Sequence, residues 1–190
     1  MQEATQAAAP ADFAAAAHWP EYLIEAWGLG TFMVSAGVFG TLLEAPSSPV
    51  RQALADPFLR RVLMGIAMGL TSMALVYSPW GRRSGAHMNP ATTLTFARLG
   101  KGHRRDAAFY ILAQFVGGAV GVALVLVVLG AAFRDAPVLC VATLPGEAGH
   151  EVAFLAEVGI TFLLMSVVLH VSNHARWHRL DRKSVVEGKS

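Results

Sequence analysis

Cys140 is the single cysteine among the 190 residues, so neither an intramolecular disulfide nor a cysteine-based metal cluster can form, and cysteine usage indicates no redox compartment. Charge is equally scarce: Asp, Glu, Lys and Arg make up 15% of the chain, against roughly a quarter in ordinary soluble domains. Residues 1–20 contain no Lys or Arg. Without a basic n-region they do not read as a secretory signal peptide but as a loose Ala-rich leader. No basic stripe with interleaved aromatics is present, so the pI near 9.0 does not point to nucleic acid. His170, His174 and His178 recur at helical spacing without acidic partners and read as interface residues; no metal site and no cofactor is expected. Ser84 lacks both a base at defined spacing and the strand-turn-helix elbow, which argues against a hydrolase, and no enzyme is expected.

What the chain does have is apolar length. Hydrophobic residues make up 54% of it, and four runs are long enough to cross a bilayer: Tyr22 to Leu43, Val62 to Pro79, Ala107 to Phe133 and Val152 to Val171. One polytopic all-α membrane domain over residues 21–172 follows. Residues 173–190 are polar, and the last ten, from Asp181 to Ser190, have neither a span nor helical apolar periodicity. They are expected either to mark a truncation or to lie outside the natural reading frame.

Loop charges set an orientation. Arg82, Arg83, Arg98, Lys101, Arg104 and Arg105 cluster around the connection after the second span, and Arg176, Arg179, Arg182 and Lys183 follow the fourth. The remaining connections carry only Arg51, Arg60, Arg61 and Arg134. The positive-inside rule places the richer connections, and the N-terminus with them, in the cytoplasm of a plasma (inner) membrane protein. Glycines of the third span, Gly117, Gly118 and Gly121, are expected to serve close helix packing.

Between the second and third spans stands Ser84-Gly85-Ala86-His87-Met88-Asn89-Pro90-Ala91. Asn is a favoured N-cap and Pro is favoured at the first helical position, so Asn89-Pro90 predicts a helix start. The helix runs through Leu99 and stops at Gly100-Lys101-Gly102. About ten residues give about 15 Å, roughly half a hydrocarbon core. Asn89 would accept from the first N–H groups of this half-helix and keep its NH₂ as an oriented donor. The Gly85-Ala86 run would approach it in an extended form that offers carbonyls, and the helix dipole would repel cations.

These residues, with Thr92-Thr93-Leu94-Thr95-Phe96 behind them, resemble the first Asn-Pro-Ala box of the aquaporin and glycerol-facilitator (major intrinsic protein) family. The resemblance covers about residues 20 to 172, including Tyr110 to Gly118 and Glu157 to Phe162. It implies an aquaporin-like fold of six spans and two half-helices, of which this chain holds four spanning helices plus one re-entrant half-helix, with the second half of the inverted repeat truncated. A weak internal repeat agrees: Tyr22 to Glu25 with Gly30-Thr31-Phe32 resembles Phe154 to Glu157 with Ile160-Thr161-Phe162.

By the same resemblance Asn89, Pro90 and Ala91 form the motif, Asn89 is a pore donor, and Ala86, His87 and Met88 supply pore carbonyls. Met68 aligns with the aromatic of the selectivity filter, and Glu157 is a structural brace accepting from loop N–H groups. The second box and its following arginine are absent. Family members carry a glutamate four residues before the Thr of the first span, where this chain has Trp27. Glu25 lies two residues earlier, about 200° around the helix. It is either a second brace or a residue near the span end that reaches water, and the second reading is preferred.

The function implied is a passive channel for water or a small neutral solute such as glycerol, embedded in a lipid bilayer as a homotetramer. The alternatives are an ion- or proton-coupled secondary transporter, for which Glu157 is the one deep titratable group, and a non-conducting membrane fragment.

Overall fold

The structure is a computed structural model describing residues 18–100 and 104–173. The leader up to residue 17, Lys101 and Gly102 of the expected stop, His174, His178 and the tail from residue 174 lie outside the described residues. Among the described residues every regular element is helical, and four helices are long and apolar enough to cross a membrane. The all-α membrane class read from the sequence therefore holds.

The first span, α1 (Trp19–Glu44), opens with a proline in its first turn. A short α2 (Pro49–Ala53) follows in the connection to the second span. The second span, α3 (Pro57–Tyr77), starts at Asp56, whose carboxylate accepts from the Phe58 N–H at 2.8 Å. Arg60 closes this end of the molecule. Its guanidinium meets both carboxylate oxygens of Glu44, at 3.1 and 3.2 Å, and donates to the Leu54 and Ala55 carbonyls. Four of its five N–H donors are thus matched although it is only 7% exposed.

The second apolar run was expected to reach Pro79 but ends at Tyr77. Ser78 is the cause: its hydroxyl donates back to the Leu75 carbonyl at 2.7 Å and accepts from the Gly81 N–H at 2.9 Å, ending α3 and capping α4 (Pro79–Ser84) together. A side chain at Gly81 would overlap the Leu75 carbonyl, so the sharp return needs glycine there. The half-helix is α5 (Pro90–Arg98), nine residues long, as its Asn-Pro start predicts. Gly100, at φ 74°, terminates it.

The third span, α6 (Arg104–Leu129), also stops short of the expected Phe133, because Gly130 takes φ 53° and turns the chain into α7 (Ala131–Arg134). That turn folds Phe133 back to full burial against Ala45, Val125 and Val138. A 3-10 turn, Leu139–Val141, follows, and the fourth span, α8 (Gly149–Asn173), completes the set.

The bundle is held by α1 against α6, its most extensive helix contact. Glycines permit the approach: a Cβ on Gly117 would overlap the Ala26 carbonyl, and one on Gly121 would overlap that of Gly30. Close backbone approach of this kind maximises dispersion contact where lipid supplies no hydrophobic drive. The span α8 is different, with none of its apolar window buried. It meets the half-helix where the Thr92 hydroxyl lies 3.8 Å from the Met165 sulfur.

Candidate functional site

Asn89 caps α5 from an extended backbone conformation, its Oδ1 accepting from the Ala91 N–H at 2.8 Å and the Thr92 N–H at 3.4 Å. This orients the carboxamide. With Oδ1 turned to its own helix, Nδ2 points away, and no acceptor for it occurs among the described residues. The Asn89 carbonyl receives the Thr93 N–H and hydroxyl, which ties the cap to the next turn.

The approach to Asn89 is not the extended run that the sequence suggests. Gly85 takes φ 85°, Ala86 φ 48° and Met88 φ 44°. Two non-glycine residues in the left-handed region cost about 1–2 kcal/mol each and persist only where their surroundings fix them. The fixing group is Glu25. Its Oε1 accepts from the Ser84 hydroxyl at 2.8 Å and the His87 N–H at 3.0 Å, and its Oε2 from the Met88 N–H at 2.6 Å and Gln114 Nε2 at 2.8 Å. Hydrogen bonds to a charged acceptor contribute about 1.5–3 kcal/mol each, enough to offset the backbone strain.

The preferred expectation that Glu25 reaches water is thereby corrected: the residue is completely buried. Position 25, not position 27, faces the loop. Trp27 turns outward and packs edge-on against Trp80, with ring centroids 4.7 Å apart. Gly28, next along α1, makes room for Met88: a Cβ there would lie 2.5 Å from the Met88 methyl carbon.

Several residues that sequence reasoning passed over complete the site. Ser84, rejected as a nucleophile, accepts from the Ala86 N–H at 3.1 Å while donating to Glu25, and its carbonyl takes the Tyr110 hydroxyl at 2.9 Å. Gln114, wholly buried, bridges Glu25 and the Thr93 hydroxyl, the latter at 3.0 Å. Its signal was legible, since it is the one amide in the apolar run from Ile111 to Leu129, and a polar group at such depth needs partners.

The other expected residues are placed as follows. Ala86 is buried and His87 and Met88 half-buried. The N–H groups of all three face Ser84 or Glu25, whereas among the described residues no donor reaches the Ala86 or Met88 carbonyl. The His87 ring stacks on Phe96 at 5.1 Å, with Nδ1 3.2 Å from the Thr93 hydroxyl, so the half-helix itself holds the side chain. Pro90 and Ala91 form the first turn of α5. Met68 is half-buried on α3. Glu157, expected to accept from loop N–H groups, is exposed on α8, and Glu25 takes the His87 and Met88 N–H groups instead. His170 lies in the last turn of α8. Among the described residues no three His, Cys, Asp or Glu side chains are grouped to hold a metal ion.

A half-length helix whose start is locked by a buried carboxylate, inside a bundle of membrane-length helices, defines a polytopic membrane protein with a re-entrant segment. The chain belongs to the major intrinsic protein family, whose model matches residues 14–185. It is 41% identical over 110 residues to the probable aquaporin AqpM of Archaeoglobus fulgidus, covering 57% of this chain and 44% of that protein. Aquaporin NIP1-4 of Oryza sativa subsp. japonica is 41% identical over 109 residues, 57% of this chain and 38% of its own. Aquaglyceroporin AqpS of Rhizobium meliloti is 41% identical over 96 residues, 50% and 39% of the two chains. The chain thus spans about two fifths of the length of these curated relatives.

Proposed function

We propose that the protein acts as a passive channel for water and small uncharged solutes such as glycerol, with the Ala86 to Asn89 loop on the solute path. The observation that carries this reading is the Asn89 carboxamide. Its oxygen caps its own helix, so its NH₂ remains a fixed donor at the start of a half-helix. Irregular backbone at membrane depth is tolerated only when buried in protein or facing a watery cavity. In this loop the N–H side faces protein, and the Met88 carbonyl is left as an acceptor for a passing hydroxyl. The positive half-helix end disfavours cations and hydronium. Relatives named as aquaporins and as an aquaglyceroporin support the solute class.

In the same reading Met68 takes the place of a filter aromatic and leaves a more deformable constriction. The reading includes assembly as a homotetramer, residence in the plasma membrane with the N-terminus cytoplasmic, and no chemical turnover of the solute. Stopped-flow light scattering on vesicles holding the chain tests it: osmotic shrinkage in sucrose and re-swelling in glycerol should both be faster than in protein-free vesicles. Asn89→Ala, which removes the donor and the cap, should slow them. Rates equal to those of protein-free vesicles would overturn conduction, and proton-coupled uptake would overturn passivity.

A further inference from the structure

At the half-helix end of the bundle, two contacts bring separate segments beside the first turn of α1. Arg83 of α4 meets Glu21 at 3.1 Å, and Asp106 of α6 accepts from the Tyr22 hydroxyl at 2.7 Å, with His18 Nδ1 at 3.4 Å. The Asp106 carboxylate and the Oε1 oxygen of Glu21 are thereby engaged. Arg82, next to Arg83, is left without an ion pair, as are Arg104 and Arg105 next to Asp106, and Arg98 in the last turn of α5. All four are exposed, and none has an ion-pair partner among the described residues.

Helix electrostatics do not explain the pair on α6, because cations at a helix N-terminus are disfavoured by the macrodipole. The opposite end of the molecule lacks this excess: Arg51, Arg60, Arg61 and Arg134 are accompanied there by Glu44, Asp56, Asp135, Glu147 and Glu151. Depth is marked by aromatics. Trp19 and Trp80 are 58% and 56% exposed in this same region, and exposed Trp concentrates at the headgroup level of a bilayer.

We propose that Arg82, Arg98, Arg104 and Arg105 form a binding surface for the phosphodiester headgroups of anionic phospholipids in the leaflet that this end faces. Guanidinium groups match phosphate oxygens in a bidentate geometry, and basic clusters flanking membrane helices attract anionic lipid. The inference rests on membrane placement alone, and its test reads no solute flux, so it stands or falls separately from the channel reading.

The test is quenching of tryptophan emission by brominated lipid in the full chain reconstituted in phosphatidylcholine bilayers. Trp19, Trp80 and Trp27, which packs on Trp80, report from this end. Brominated phosphatidylglycerol is expected to quench as though enriched about fivefold over brominated phosphatidylcholine at equal mole fraction, and roughly 0.5 M NaCl should weaken the preference. Replacing the four arginines together by glutamine should abolish it. The fourfold lysine variant, which preserves the charge but not the bidentate fork, should retain a reduced preference and serves as the folding control, and Arg134→Gln at the other end should leave the preference unchanged. Equal quenching by the two lipids in the native chain would overturn the proposal. So would displacement of the preference by millimolar glycerol phosphate, which would identify a site for soluble anions.

Discussion

Glu25 is a carboxylate held wholly out of water, a costly state unless its oxygens are fully supplied with donors. Four donors from three segments supply them, and two are backbone N–H groups of a loop with left-handed residues. In Glu25→Gln the carboxyl oxygen replaced by NH₂ can no longer accept. Gln114 can turn its otherwise unpartnered Oε1 toward the new amide, but the Met88 N–H then loses its acceptor. An orphaned buried donor costs about 1–3 kcal/mol, so a loss of about 2 kcal/mol is expected in thermal unfolding of the detergent-solubilised protein. Trp27→Phe should cost far less, since Trp27 lies at the surface and keeps an aromatic ring against Trp80. Equal losses would refute the assignment of the buried position to Glu25. The sequence showed an acidic residue in the first span but not its facing. That is decided by Ala26 and Gly30 lying against Gly117 and Gly121, which sets the rotation of α1 and turns the bulky Trp27 outward.

Among elements, the α1 to α6 crossing yields a sharp contrast between neighbouring glycines. A Cβ at Gly117 would overlap the Ala26 carbonyl, a backbone atom that cannot swing aside, whereas one at Gly118 would meet the Leu29 side chain at 3.5 Å, an ordinary contact. Gly117→Ala should therefore force the helices apart and cost about 1–3 kcal/mol or more, the range for overpacking. Gly118→Ala should be neutral or stabilising, because alanine lowers the conformational entropy of the unfolded chain. Differential scanning fluorimetry of the two variants checks the pair, and a similar penalty for both would contradict this crossing. The four spans and the half-helix were legible in the sequence because apolar length and an Asn-Pro start are local signals. The expected reach of the second and third spans was not, because apolar residues continue past both true ends. Only Ser78, bonding in both directions, and Gly130, at φ 53°, stop the helices. The loop conformation was illegible for a related reason: the left-handed Ala86 and Met88 are imposed by Glu25, some sixty residues away in sequence.

For the whole molecule, the uneven charge of its two ends implies one orientation. The end carrying Arg82, Arg83, Arg98, Arg104 and Arg105 should stay on the cytoplasmic side, because basic flanks resist translocation. The opposite end then faces outward with the 3-10 turn Leu139–Val141, which contains the chain's single cysteine. Cys140 is partly exposed and unpaired, so it is a native reporter that needs no engineering. A membrane-impermeant maleimide should label it in intact spheroplasts, and blocking with that reagent before lysis should prevent later labelling by a permeant one. Inside-out vesicles should show the reverse, with labelling only after permeabilisation. Neutralising Arg82, Arg83, Arg104 and Arg105 together should weaken the bias and give a fraction of labelling from the cytoplasmic side, because the basic residues of the connections and tail then fall from ten against four to six against four. Labelling of the native chain from the cytoplasmic side alone would invert the orientation. It would also move the arginine surface to the outer leaflet, where its preference for anionic lipid would have no inner-leaflet ligand to meet.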